Sequence, residues 1–323
     1  MKKIKLILLL ISIFFLTGCL NYVELNQIGL INVIGISKNN KNYVISINML
    51  EATIEEKEEN KNYKVEAPSI TQAFDKLYLL TTKNINLSHL ELLILDKSLK
   101  KEDYDKIKSF FLNRNDSRDT FNVIILENYS DETLFKFNYK DINSLIETNH
   151  QEDGIVSPKS FDELIEDILN INTSYIPTIS VNEKLEILGY RTIYNNNKLL
   201  SIKESITYNF LTNNIIKANL IDQNLNIKID KSITNISINK SSMKITVSST
   251  LTDYSNEKKI ESKYNKIVKE YILEYLDNND LSHFYNLMKK YNYNYYKRNK
   301  DKEISFNVIV QSKINKEAKQ NGK

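Results

Sequence analysis

Few side chains in this sequence have the type and spacing to do chemistry. Three histidines, His89, His150 and His283, are scattered without an HExxH motif or an i, i+4 pair, so no helix can present two of them to one metal ion. The six glycines, at 18, 29, 35, 154, 189 and 322, cannot be arranged into GxGxxG, a Walker A loop or a GxSxG elbow. Nucleotide-binding and hydrolase templates therefore fail, and neither catalytic residue, metal ligand nor cofactor is expected. Cys19 is the only cysteine, which removes disulfides, CxxC redox pairs and thiolate metal clusters. Two arginines four apart, Arg114 and Arg118, are more informative. Helical spacing would put both guanidinium groups on one side, to hold an anion or to pair with Asp116 and Asp119, and structural pairing is the preferred reading. The tyrosines at 291, 293, 295 and 296 could stack nucleic-acid bases, but the charge balance favours a packed or membrane-proximal sheet edge.

That balance depends on the N-terminus. A basic start with Lys2, Lys3 and Lys5 is followed by an apolar stretch from Leu6 to Leu16. These eleven residues, all apolar but Ser12, span roughly 16 Å of helix, about half of a hydrocarbon core, so residues 1–18 read as a signal peptide and not as a membrane span. Its end, Leu16-Thr17-Gly18-Cys19, resembles the lipobox of bacterial lipoproteins, in which small residues fit the signal peptidase and the cysteine thiol accepts a diacylglyceryl group. Lipidation at Cys19 would anchor the chain to membrane lipid. Removing the three signal-peptide lysines from 44 basic residues leaves 41, against 41 acidic ones. No nucleic-acid partner is expected of so neutral a body.

With 323 residues, 41% apolar, the chain can bury a sizeable core. Gln27–Ser37 and Asn42–Glu51 read as a strand pair joined by the Asn-rich turn at Lys38–Lys41, and Tyr43, Ile45, Ile47 and Met49 alternate as one face. The charged run Glu55–Glu59 reads as a solvated loop. A helix follows over Ser69–Thr82, with Ala73, Phe74, Leu77 and Leu80 inward, then a strand at His89–Asp96, a helix at Glu102–Leu112 and a strand at Phe121–Leu126. Residues 131–170 are mostly helical, marked by the capping box of Ser160 and Glu163, and Pro177 lies in a break. Strands are then expected at Lys184–Tyr194, Lys198–Ile202, Ile215–Asp222, Leu225–Asn239 and Ser242–Asp253, the long ones as an antiparallel meander. Helices at Glu257–Leu276 and Ser282–Tyr291 and a strand at Ile304–Ile314 close the chain. The expected fold class is α+β, mixed and antiparallel sheets flanked by helices in two or three subdomains. The units are a signal peptide (1–18), an N-terminal region (19–183) and a C-terminal region (184–323).

Several of these segments resemble the spore germination C subunit family, Ger(x)C, the lipoprotein component of nutrient germinant receptors. The likeness rests on the lipobox, Glu24-Leu25, Val33–Ser37 (VIGIS), Ile70–Phe74 (ITQAF), Leu87–Leu95, Phe110–Ile125 with its two arginines, Tyr175–Ile179, Leu188–Leu211 and Ile304–Ile314. Leu20-Asn21-Tyr22 stands where the family usually has Trp-Asp-Arg. The resemblance implies a non-enzymatic subunit, lipid-anchored on the outer face of the spore inner (cytoplasmic) membrane beside A-type and B-type membrane subunits. Glu24, Leu25, Arg114 and Arg118 are the candidate docking residues it suggests. The residues by themselves leave a second reading open, a solute-binding lipoprotein of a transporter. Such proteins are normally two lobes of repeated βα units, whereas the second half here carries antiparallel pattern.

Overall fold

The computed structural model describes residues 27–52, 58–194, 196–222, 225–238, 242–252, 257–279, 281, 284, 285, 297 and 305–315. Two sheets carry the fold. The first begins with a hairpin of β1 (Ile28–Asn39) and β2 (Asn42–Ala52), closed at Asn40, whose φ of 55° is one that Asn tolerates well. β3 (Glu58–Ala67) pairs with β2 on the outer edge. Helix α1 (Ile70–Leu80) starts at Ser69, whose hydroxyl accepts from the Gln72 amide, and leads to the short β4 (Asn84–Asn86), parallel to the start of β1. Then β5 (Leu92–Asp96), α2 (Lys101–Leu112) and β6 (Asn122–Leu126) lay two interior strands parallel to β1. Their nearly continuous apolar sequences match strands covered on both faces.

Helices α3 (Asp131–Lys136), α4 (Tyr139–Glu152) and α5 (Phe161–Ile171) follow, the last with the expected Ser160–Glu163 capping box. β7 (Ser174–Val181) joins β6 in parallel and turns back into β8 (Leu185–Ile193), giving the order β3-β2-β1-β5-β6-β7-β8 with β4 beside β1. After α6 (Ile202–Leu211) comes the second sheet, β9 (Ala218–Asp222), β10 (Leu225–Ile238), β11 (Ser242–Thr252) and β12 (Ser305–Ile314), in the order β12-β11-β10-β9. Helix α7 (Glu257–Asn278) covers it with Tyr264, Val268, Ile272 and Tyr275, a stripe at helical spacing.

Two cores result. On one face of the first sheet α1, α2 and α5 pack over Ile34, Ile45, Ile47 and Ile125, with Phe111, Phe121 and Phe161 in mutual ring contact. On the other face Val33, Ile94 and Ile124 share one core with α4, α6, the second sheet through Ile245 and Val247, and α7 through Tyr264. The α+β class of alternating and antiparallel elements is thus the fold observed. Residues 183 and 184 lie in the short link between β7 and β8, which are neighbours in one sheet.

Four local expectations are corrected. β3 begins at Glu58, so the charged run leads into an edge strand; its ladder is made by backbone groups, and Glu59 to Asn62 and Lys64 stay in solvent. Leu80, expected in the core, is exposed: it is the last helical residue, and Thr81 turns inward in its place. Pro177 is inside the fully buried β7, tolerated where the ladder to β6 begins one residue later, at Thr178. Lys198–Ile202 makes only a bridge at Leu199 before Ser201 and Glu204 cap α6, a second S-x-x-E box. The strand expected at Ile304–Ile314 forms as β12; it runs parallel to β11, because α7 carries the chain back across the sheet instead of turning it in a hairpin. Most of the expected helix at Ser282–Tyr291 lies outside the described residues.

Candidate functional site

The strand directions bring several candidate segments to one end of the first sheet. β1 starts there, and the register Ile28 with Asn84 sets β4, four residues beyond Leu80, against the point where the chain leaves residues 1–26. Helix α2 comes down beside α1 and ends at Leu112, so the loop Asn113–Thr120 belongs to the same end. The two arginines sit in the loop between helix and strand, so helical spacing does not align their guanidinium groups on one side; that alignment is corrected.

Arg114 folds back on its own loop. Its Nε donates to Asp116 Oδ1 at 2.7 Å and its Nη2 to Oδ2 at 2.6 Å, a two-pronged charge-assisted pair. Nη2 also reaches Tyr78 Oη at 3.2 Å, and the guanidinium lies 5.5 Å from the ring centroids of both Phe74 and Phe110. Burial alone would lower the Arg114 pKa, but the bonds to Asp116 and Tyr78 outweigh it and hold the group above its ordinary value. Burial would likewise raise Asp116, yet Arg114 pulls its carboxyl below the usual range, and the Leu87 amide adds to this. The pairing expected for the arginines thus forms at Arg114 with Asp116. Arg118 is exposed at the surface of the same loop.

Around this pair the helix ends leave apolar surface uncovered: Tyr78 is 41% exposed, Leu79 86%, Leu80 59% and Leu112 58%. Sequence reasoning missed this patch, although a signal exists. Three successive apolar residues, Tyr78-Leu79-Leu80, are more than one helical stripe can bury.

A second feature lies on the opposite face, where a cavity of about 360 Å³ opens between α4, α6 and β8. His150 is half-buried there, its Nδ1 without a partner among the described residues, and burial lowers its pKa against an opposing Glu147. Tyr208 stacks on Tyr175 at 3.9 Å, and burial pushes the Tyr190 hydroxyl up to about 12. Lys159 and Tyr190, which also line it, have partners. Lys159 meets Asp167 at 2.7 Å, and Tyr190 Oη accepts from the Ser157 amide and donates to Asn209. His89 is exposed in a turn before β5. Among the described residues no group of three or more His, Cys, Asp or Glu is placed to hold a metal ion, and no helix is long and apolar enough to cross a membrane. Leu16, Thr17, Gly18, Cys19, Glu24 and Leu25, together with His283 and the tyrosines at 291–296, lie outside the described residues.

Comparison with known proteins adds a family and a fold. Residues 21–181 match the family described as the spore germination protein N-terminal domain. The chain is similar to a crystal structure of the GerBC protein, at 17% identity and a TM-score of 0.54, over 87% of this chain and 96% of that one. At that identity the likeness speaks for the fold. No curated protein sequence gives a significant match.

Proposed function

The chain belongs to the spore germination protein family whose N-terminal domain occupies residues 21–181, and on that premise we propose that it is the lipid-anchored, non-enzymatic C subunit of a germinant receptor. It is held on the outer face of the spore inner membrane by acylated Cys19, after cleavage behind Leu16-Thr17-Gly18. Two acyl chains supply the stable attachment that one chain does not, at about 0.8 kcal/mol for each buried methylene. It acts in nutrient-triggered germination beside A-type and B-type membrane subunits. Glu24 and Leu25, next to the anchor, and the exposed Arg118 offer them contacts, with Arg114 shaping the loop that presents Arg118.

The observation that carries this reading is the family match, which begins two residues after Cys19. Its test is purification of the tagged chain from spore membranes. Two integral membrane proteins of receptor type should accompany it, and Cys19→Ala should leave an unprocessed or soluble chain. Recovery with an ABC permease would refute the receptor assignment. Retention of Cys19→Ala on membranes through a high-salt and carbonate wash would refute the lipid anchor.

A further inference from the structure

We propose that the apolar patch at the ends of α1 and α2 is seated on the bilayer surface itself, so that the domain is held by a second, protein-made contact beside its lipid. The inference rests on the lipid-anchor reading above and names the face that meets the membrane. Of the eleven large apolar residues exposed among the described ones, four gather here: Tyr78, Leu79, Leu80 and Leu112. The three leucines together leave bare about as much surface as two whole leucine side chains. Tyr78 and Leu112 are drawn to one place by Arg114, which bonds Tyr78 from two residues beyond the end of α2.

What covers this patch follows from where the N-terminal segment enters β1. Leu80 is four Cα steps from Asn84, and Asn84 pairs with Ile28. At about 3.6 Å per residue plus one strand spacing of about 4.8 Å, Leu80 is no more than about 20 Å from the first residue of β1. Seven residues, Leu20–Asn26, separate Cys19 from Gln27, eight Cα steps with a reach of at most about 29 Å. The patch is thus always within reach of lipid, whether or not a protein partner is present, at a high effective concentration. An apolar surface in that position loses its water to the interface, and a tyrosine at its margin suits the headgroup level. Charge plays little part. Arg118 is exposed nearby, but Glu58 and Glu59 at the start of β3 lie toward the same end of the sheet, and Arg114 is neutralised by Asp116. Seating is therefore the same on neutral and on anionic lipid, and resists salt.

The test uses the lipidated full chain in phosphatidylcholine vesicles. Acylation consumes the Cys19 thiol, so Thr82→Cys, beside the patch, and Lys41→Cys, at the far end of β1, each take one environment-sensitive dye; both positions are exposed. Spin-labelled lipid with a shallow nitroxide should quench the dye at 82 and leave that at 41 unchanged. Replacing Leu79, Leu80 and Leu112 with Ser should abolish quenching at 82 while the far-ultraviolet spectrum and flotation with vesicles are kept. Flotation with equal quenching at 82 and 41, or quenching at 82 that survives the triple Ser replacement, overturns the seat alone and leaves the patch to a protein partner. Failure to float, with the dye found also at Cys19, overturns the anchor and the seat with it.

Discussion

The two arginines of the Asn113–Thr120 loop should behave oppositely when replaced. Arg114 makes a two-pronged bond to Asp116, with the two side chains only 18% and 29% exposed. A hydrogen-bonded pair involving charged groups contributes about 1.5–3 kcal/mol. The contacts with Phe74 and Phe110 add about 0.5–1 kcal/mol, since the rings share one cation. Arg114→Ala should therefore cost about 3 kcal/mol, part of it from leaving Asp116 partly buried without its cation. For a chain of this size that is a fall in Tm of roughly 6 °C. Arg114→Lys restores charge but neither the fork nor the flat stacking surface, and should recover less than half of the loss. Arg118→Ala, exposed, should stay within about 0.5 kcal/mol. Urea unfolding followed by circular dichroism reads all three, with an unchanged m-value showing that the folded and unfolded states keep their extent. A cycle with Asp116→Asn should give a coupling of about 1–2 kcal/mol. Equal losses for Arg114→Ala and Arg118→Ala, or a coupling near zero, would refute the account of the loop.

Three other outcomes follow from particular contacts. Glu204 accepts from Lys198 at 2.7 Å and from the Ser201 amide at 2.8 Å, which overcome burial and lower its carboxyl from 4.5 to about 2; its contribution is fully present above pH 4.5 and is lost as pH falls toward 2, so Glu204→Gln should lower stability at neutral pH and flatten acid unfolding across that window. Gly189 holds φ at +123°, and an added Cβ would come within 2.6 Å of the Leu200 carbonyl oxygen and 2.5 Å of Ser205 Oγ; Gly189→Ala should cost more than about 3 kcal/mol or prevent accumulation of folded protein, as read by soluble yield and thermal melting. A long Gly/Ser insertion after Leu20 should weaken partner recovery and germination while membrane fractionation is unchanged, because the short tether holds the domain near its partners; an unaltered germination response would sink that claim.

Much of the fold was legible because it is written in local periods. The alternation of Tyr43, Ile45, Ile47 and Met49 gives β2, the stripe of Ala73, Phe74 and Leu77 gives α1, and Ser160 with Glu163 starts α5. The anchor motif and the family likeness are also matters of residues close together in sequence. The second capping box, Ser201 with Glu204, is equally local, but the β-branched and aromatic residues of Ile206–Phe210 suit a strand as well as a helix; they are helical in α6, which is buried on several sides between β8, α7 and the second sheet. What tertiary structure alone decided is of another kind. Only the second half of β3, with Tyr63, Val65 and Ala67 turned to the core, carries an apolar alternation; its polar first half, Glu59–Asn62, has none to announce it and is a strand because β2 offers a free edge. Pro177 stays inside a strand because of where a neighbouring ladder begins. The direction of β12 is not contained in its alternation, which reads the same both ways. Between Arg114 and Arg118, identical in type and four residues apart, only the first pairs with Asp116 and also meets Tyr78 and Phe74, 36 and 40 residues earlier in the chain. A side chain's period can be read from its neighbours in sequence, but its partner is chosen by distances that exist only after the chain has folded.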